Sequence, residues 1–409
     1  AGQRAVSRPT AVVFAMAERG HFMRLLPVVD GLVRAGVDTH VFTTQAFAPD
    51  VMRAGARFVD LFAEHTVDDA DAASIPVPCR FVSFAGRFGD AIVTAAAALA
   101  PSLVVHDTFA VIGRVVAHHL GLPRVNVCAG HNLAPGPTRE ALRRDPRVRV
   151  SDACWAAVEQ LKARHGMPDA SPFSYVEGIS ADLNLYCEPP QFLSPDERAP
   201  FEPIAFFGSL WPEGRSAAGA SPWPAAGTPG RLRLYVSFGT VIWRYYREAA
   251  RSVLSALATA LGDRHDVDAV VSLGGIGSLA PAGGPVPAHM RVEAYVDQWE
   301  ALRGASLAIT HHGLNTTHEA IFHRVPMISY PFFADQPLLA TRSQALGLAV
   351  PLVGTLQGPA TADHLHAALD RVVASRPQMI DRLTTARAWE LETMAGRPAI
   401  VQRMLGLVS

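Results

Sequence analysis

The stretch that most restricts this chain is 306–319. Ser306-Leu307-Ala308-Ile309-Thr310 is an unbroken, mostly apolar run, of the length and character of a strand buried on both faces of a parallel sheet. It gives way to His311-His312-Gly313, and a helix is predicted over 315–322, with Gly, Asn and Thr suiting the turn and the cap. A parallel strand that hands over to a helix in this way aims a helix N-terminus out of the sheet's carboxyl edge. Backbone N–H groups and the helix dipole make that an anion site. Asn315 and Glu319 stand four apart and so share one helix face. His, Asn, Thr and Glu gathered at an anion-binding helix start suggest a phosphate with a polar sugar attached, which we read as a nucleotide diphosphate.

The remainder of the chain alternates in the same manner. In the first half strands are predicted at 11–15, 38–43, 56–61, 100–107, 124–127 and 204–207, with helices beginning near 25–27 and spanning 110–120. In the second half strands are predicted at 232–237, 267–273, 306–310, 328–330 and 347–353. Helices fall at 247–261, 315–322, 362–374 and 377–394, the last broken at Gly396 and Pro398. Strand–helix alternation calls for parallel α/β sheets, and 409 residues exceed what one core ordinarily holds. The Gly-, Pro-, Ala- and Ser-rich segment 208–230, with Pro212, Pro222, Pro224 and Pro229, is the best boundary. The expected organisation is a first domain over 1–207, a linker over 208–230 and a second domain over 231–409.

Ligands of parallel sheets lie outside the carboxyl ends of the strands. His21 falls there, in a loop predicted just after the first strand, and Asp107 ends a later strand. A carboxylate that orients an imidazole and stabilises its protonated form makes a general-base dyad. Read singly, His21 also fits a satisfied loop histidine and Asp107 a strand-end cap. Residues 67–73 are acidic and read as solvated. Phe81, Phe84 and Phe88 have helical spacing; with Phe109, His131 and Asn132 they are candidates for a pocket beside the dyad, ordinary core packing being the alternative.

The stretch 295–336 contains Tyr295, Gln298, His311, Asn315, Thr316, Glu319, Pro326, Pro331, Asp335 and Gln336. It resembles the donor-binding signature of the family 1 glycosyltransferases, including the bacterial natural-product and macrolide enzymes. Gly20, His21 and Pro27 match loosely that family's motif after its first strand. The resemblance implies the GT-B arrangement: two Rossmann-like doubly wound domains facing across a cleft, with the chain end crossing back to the first. It implies that Tyr295 stacks on the base and Gln298 bonds it. His311, Gly313, Asn315 and Thr316, with the turn at Gly239-Thr240, would hold the diphosphate. Glu319 would take the ribose hydroxyls, and Asp335 with Gln336 would reach the sugar. His21 would deprotonate an acceptor hydroxyl, supported by Asp107, in a metal-independent, inverting transfer from a UDP- or dTDP-sugar to a lipophilic small molecule. Tyr295 where Trp is usual, Leu314 where plant enzymes carry Trp, and Arg24 where many relatives carry Pro are departures. A sugar-nucleotide epimerase of the same fold and a non-catalytic nucleotide-sugar-binding protein are the alternatives.

Composition bears on what the chain is not. A net charge of −1 gives no footprint for nucleic acid. Cys79, Cys128, Cys154 and Cys187 form no CxxC pair, so reduced thiols are expected rather than zinc or disulfides. His118-His119 suggests metal, but no third ligand is spaced to join it. No apolar run reaches the roughly 18 residues of a membrane span, and the first residues lack a signal core, so a cytoplasmic enzyme, monomer or homodimer, is expected. Gly275, Gly277 and Ala280 mimic the dinucleotide fingerprint, but Pro281, Pro285 and Pro287 oppose the helix that motif needs. No cofactor is expected beyond the nucleotide-sugar co-substrate.

Overall fold

The protein was analysed as a computed structural model that describes residues 8–215, 220–223, 230–275 and 286–408. Residues 276–280 of the fingerprint-like motif and most of the proline-rich stretch after it lie outside these residues, as do parts of the segment 208–230. The chain divides into two compact units, Ala1–Gly214 with Thr393–Ser409, and Arg215–Glu392.

The first unit holds a seven-stranded sheet: β1 Thr10–Phe14, β2 Asp38–Thr43, β3 Arg57–Asp60, β4 Leu103–Asp107, β5 Arg124–Val127, β6 Leu183–Tyr186 and β7 Ile204–Phe206. Its order is β3-β2-β1-β4-β5-β6-β7, parallel throughout. Every residue of β4 is buried and all but the first of β1, which is why both read as continuous apolar runs. The helices that matter below are α1 Arg19–Arg34, α2 Val77–Ala97, α3 Val111–Leu120 and α4 Asp152–Arg164.

The second unit repeats the plan with six strands: β8 Leu232–Ser237, β9 Val267–Ser272, β10 Met290–Glu293, β11 Leu307–Thr310, β12 Met327–Ser329 and β13 Ala349–Pro351. The order is β10-β9-β8-β11-β12-β13, again all parallel. Its helices include α5 Arg247–Gly262, α6 Gln298–Gly304, α7 Leu314–His323, α8 Gln336–Ala345 and α9 Ala362–Leu405. In each sheet the chain order reverses once, between β1 and β4 and between β8 and β11. Such switch points open the crevice in which doubly wound sheets bind ligands.

Three expectations need correction. Helix α1 starts at Arg19, not near Leu25, so His21 lies in a helical turn and not a loop; Phe22 N–H already bonds the Glu18 carbonyl at 2.9 Å. Pro27 is interior, where proline costs roughly 3 kcal/mol. Phe22, Leu25, Leu26, Val28, Val29 and Leu32 are all at most 1% exposed, and each buried side chain contributes roughly 1.5–3 kcal/mol, which outweighs it. Helix α9 runs unbroken through Pro377, Gly396 and Pro398, carried by buried Leu383, Ala386, Val401 and Met404 for the same reason. The acidic stretch 67–73 is not wholly solvated: Asp71 is buried and accepts hydrogen bonds from Ser74 N–H, Ser83 Oγ and Ser151 Oγ. Burial opposes its charge, but these donors win and lower its pKa to about 2.

Candidate active site

The first switch point carries the predicted dyad. β1 leads into α1 and presents His21, while β4 ends in Asp107 beside it. His21 Nδ1 lies 3.0 Å from both oxygens of the Asp107 carboxylate. The carboxylate is buried, 1% exposed against 19% for the imidazole. Burial alone would raise the Asp107 pKa. The His21 charge and hydrogen bond, the Arg24 guanidinium and the Phe109 N–H at 2.8 Å oppose burial and leave it lowered. An ionised carboxylate only accepts, so the proton of neutral His21 must sit on Nδ1 and Nε2 keeps its lone pair. The imidazole rests against the Phe109 ring, centroids 4.3 Å apart. The dyad is thus held by ring contact, carboxylate and helix turn, with its basic nitrogen on the remaining side.

Phe109 also borders a narrow, largely apolar pocket with Thr108, Cys128, Ala129, Leu133 and Phe201. The other acceptor-side candidates are not brought to it. Phe81 and Phe84 are at most 2% exposed inside the core of the unit, which their helical spacing on α2 serves. His131 is buried with Nδ1 2.8 Å from Glu188 Oε2, a buried hydrogen-bonded pair and not an open contact. Asn132 adopts φ +48°, its side-chain amide donating to Glu197 Oε1 at 3.0 Å. Arg24, noted in the sequence only as a departure, is 5% exposed and donates to the Ala129 carbonyl, close enough to Asp107 to favour its charge. Its position four residues before Val28 on an apolar helix face was the available signal.

The second switch point gathers the other predicted set. Gly239 and Thr240 follow β8, and His311 to Gly313 follow β11. Gly239 has φ +69°, and a Cβ there would approach His311 Nε2 to 2.9 Å; one on Gly313 would approach it to 2.3 Å. Glycine at both places is what seats the imidazole between two stretches of backbone. Gly274, at φ +63°, lets a third stretch close on Gly239. Burial lowers the His311 pKa to about 4 against a hydrogen bond to the Ser237 backbone, so at neutral pH the ring acts as a hydrogen-bonding group. His312, at φ +57°, is fixed in its left-handed turn by Thr317 Oγ1 and Ser329 Oγ at 3.2 and 2.7 Å.

Helix α7 begins at Leu314 with Gly313 as a cap that has no side chain to offer, and its first ladder bond is Thr317 N–H to the Gly313 carbonyl. The N–H groups of the first turn therefore point out of the sheet edge. Thr316 Oγ1 donates to Gln298 Oε1 at 3.0 Å, and Gln298 Nε2 to Glu319 Oε2 at 2.8 Å. Arg215 donates to Glu319 Oε1 and lies over Trp299 at 5.0 Å. Sequence reading missed Arg215, which sits in the segment taken for linker, far from any motif. Tyr295 is 63% exposed, a ring face available to a planar ligand. Asp335 is half-buried at the head of α8. Gln336 is buried with its carbonyl accepting from Phe332 N–H at 3.0 Å, which leaves only its NH2 for a ligand. A larger open groove beside Glu248, Arg251 and Thr361 holds none of these groups.

Two parallel doubly wound units, each with a polar cluster at its switch point, match the GT-B fold of the glycosyltransferases. The calicheamicin glycosyltransferase CalG4 is similar at 25% identity and TM-score 0.70 over 98% of this chain and all of that one. The glycosyltransferase VinC, solved with dTDP, is similar at 19% identity and TM-score 0.68 over 98% and 99%. Residues 233–378 match the family model described as UDP-glucoronosyl and UDP-glucosyl transferase. The oleandomycin glycosyltransferase of Streptomyces antibioticus is 26% identical over 389 residues, covering 92% of this chain and 86% of that one. Over nearly its whole length the chain is similar to family 1 glycosyltransferases. Among the described residues no helix is long and apolar enough to cross a membrane. The four cysteines are buried and unpaired in any disulfide.

Proposed function

We propose that this enzyme moves a sugar from a nucleoside diphosphate to a hydroxyl of a lipophilic natural product, with inversion at the anomeric carbon. The observation that carries the reading is the His21–Asp107 pair, whose geometry fixes the proton on Nδ1 and leaves Nε2 as a base. The acceptor hydroxyl gives its proton to Nε2 as its oxygen attacks the anomeric carbon and the diphosphate departs. Asp107 stabilises the imidazolium that forms. The Phe109 ring against the imidazole is apolar surface beside the base for such an acceptor.

The leaving diphosphate takes its support from the first turn of α7 and from Thr240 and Asn315, beside the His311 imidazole. These are preorganised dipoles placed where negative charge grows, and no metal or further cofactor enters this reading. Tyr295 stacks on the base, Gln298 and Glu319 address base and ribose, and Asp335 with the Gln336 NH2 addresses the sugar. The Arg215–Glu319–Gln298–Thr316 chain of hydrogen bonds holds the ribose-side groups in place before the nucleotide arrives. UDP- and dTDP-linked hexoses are the donor classes it fits.

The test has two arms. UDP, dTDP and GDP are compared by thermal shift, where ligand binding to the folded state raises the melting temperature. UDP-glucose and a dTDP-sugar are then incubated with a panel of macrolide and polyketide aglycones, and products are weighed by mass spectrometry. A uridine or thymidine diphosphate shift together with a hexosyl adduct of inverted configuration supports the reading. Absence of any nucleotide shift, or a retained anomeric configuration, overturns it.

A further inference from the structure

The sequence reading found no third ligand for His118-His119, but the fold supplies two. Asp90 on α2, His119 on α3 and His165 at the end of α4 converge, with one ligand atom of each within 4.8 Å of the others. His119 Nε2 and His165 Nδ1 are 2.9 Å apart. Two imidazole nitrogens on one tetrahedral zinc, at roughly 2.05 Å each, stand about 3.3 Å apart. A shift of some tenths of an ångström therefore turns this contact into a shared-metal geometry.

The surroundings are those of a ligand site. His165 is 1% exposed and its ring lies against Gly89, where a Cβ would approach Cε1 and Nε2 to 3.1 and 3.2 Å. It also has a hydrogen bond to the Gly86 backbone, the kind of outer contact that fixes the tautomer and orientation of metal-binding histidines. Asp90 and His119 are exposed, which gives a cation a way in. Arg164 Nη2 donates to Asp90 Oδ2 at 2.6 Å, leaving Oδ1 for a metal. His118, next to His119, is turned onto Gly166, where a Cβ would collide with its ring.

We propose that Asp90, His119 and His165 form a binding site for a divalent transition ion of the zinc type, which ties α2, α3 and α4 together. Two imidazoles and a carboxylate suit zinc and its neighbours over magnesium or calcium, which prefer all-oxygen sets. In the metal-free state one ring donates its proton to the other. On binding, that ring changes tautomer, both lone pairs turn to the metal, and water takes the fourth position. The role is structural. Helix α3 leaves the carboxyl edge of β4, so His119, next to its last residue, lies towards the sheet's opposite edge from His21.

Enzyme dialysed against a chelator is titrated with Zn2+, followed by thermal melting, and with Co2+, followed by visible absorption. At metal 100-fold above its dissociation constant the linkage raises the melting temperature by roughly 5 °C, and Co2+ gives the intense bands of a four-coordinate site. His119→Gln, at an exposed position, should fold and lose both signals, and Asp90→Asn should bind at least tenfold more weakly. Glycosyl transfer by His119→Gln should equal that of metal-free wild type. Lack of saturable Zn2+ binding to wild type, or binding by His119→Gln and Asp90→Asn as tight as that of wild type, refutes the site. Neither result bears on whether His21 is the base.

Discussion

Replacing Asp107 by Asn tests the dyad with almost no change of shape. In the native protein one carboxylate oxygen accepts both the Phe109 N–H at 2.8 Å and the His21 Nδ1–H at 3.0 Å, while the second oxygen also lies 3.0 Å from Nδ1. An asparagine must keep its carbonyl towards the Phe109 N–H, because turning its NH2 there would set two donors against each other in a buried place. Its NH2 then takes the place of the second oxygen and donates to His21 Nδ1. That imidazole must carry its proton on Nε2, the atom that is to receive the acceptor's proton. General-base catalysis contributes roughly 10²–10⁴-fold, and the whole of it should go, so kcat/KM should fall about 10³-fold, equivalent to roughly 4 kcal/mol.

The assay is initial-rate release of nucleoside diphosphate with an alkyl-alcohol acceptor and with a phenol. The phenol needs less help in losing its proton, so its loss should be at least tenfold smaller. Nucleotide-induced thermal shift should be unchanged, because no part of the nucleotide site is altered. Asp107 has a lowered pKa, so the carboxylate's contribution is present above its unfolded value near 4 and fades only as pH falls through the folded value. Assays between pH 6 and 9 therefore compare an ionised Asp107 carboxylate with the amide. If Asp107→Asn keeps activity within threefold of wild type, or loses it equally for both acceptors, His21 is not acting as the base described here.

Gly313→Ala should fold but bind nucleoside diphosphate at least tenfold more weakly, since its Cβ would stand 2.3 Å from His311 Nε2; isothermal titration reads this directly. Arg215→Ala leaves Glu319, 4% exposed, with one oxygen unpartnered, and should weaken nucleotide binding several-fold while sparing His21-dependent chemistry, seen as a rise in KM for the donor with kcat kept. His318 and Glu390, at most 1% exposed, hold each other between α7 and α9; His318→Leu should cost about 3–5 kcal/mol by denaturant unfolding, since it strands a buried carboxylate. Burial lowers His106 and His312 to about 3 and His311 and His323 to about 4. The unfolded chain then binds up to four more protons than the native one between pH 6.5 and 4. Stability should fall through that window at up to roughly 5 kcal/mol per pH unit, as melting temperature against pH will check; a flat profile refutes the neutral assignment.

The sequence exposed most where one physical constraint acts alone. Strand β8 is bounded in the structure as predicted, its last four residues buried, which leaves a strand few other ways to be written. The polar residues after β11 were legible for a related reason. Glycine, asparagine and two threonines at a strand-to-helix turn leave few conformations, and the helix that follows must leave its first N–H groups unspent. What escaped were features decided by long-range burial. β6 and β10 are short, and nothing in four residues tells a strand from a loop until β5 and β9 lie alongside. α1 overrode its two glycines and its proline because its apolar face is wholly covered. Phe81 and Phe84 could not be told from pocket residues, since an aromatic at helical spacing serves a core and a binding wall with the same pattern.

The charged residues that were missed share a cause. Arg24, Arg215 and the trio of Asp90, His119 and His165 lie 83, 104 and up to 75 positions from the partners that give them meaning, and no local rule carries that far. The two switch points differ because topology supplies the distance. His21 and Asp107 are 86 positions apart, yet β1 and β4 must be neighbours once the sheet reverses its order there. A residue just past one strand and a residue ending the other are then delivered to the same rim. The same reversal between β8 and β11 delivers Gly239 to His311. Catalytic groups on this fold are legible because they sit where the sheet's order forces remote segments together, and groups elsewhere on the surface have no such guide.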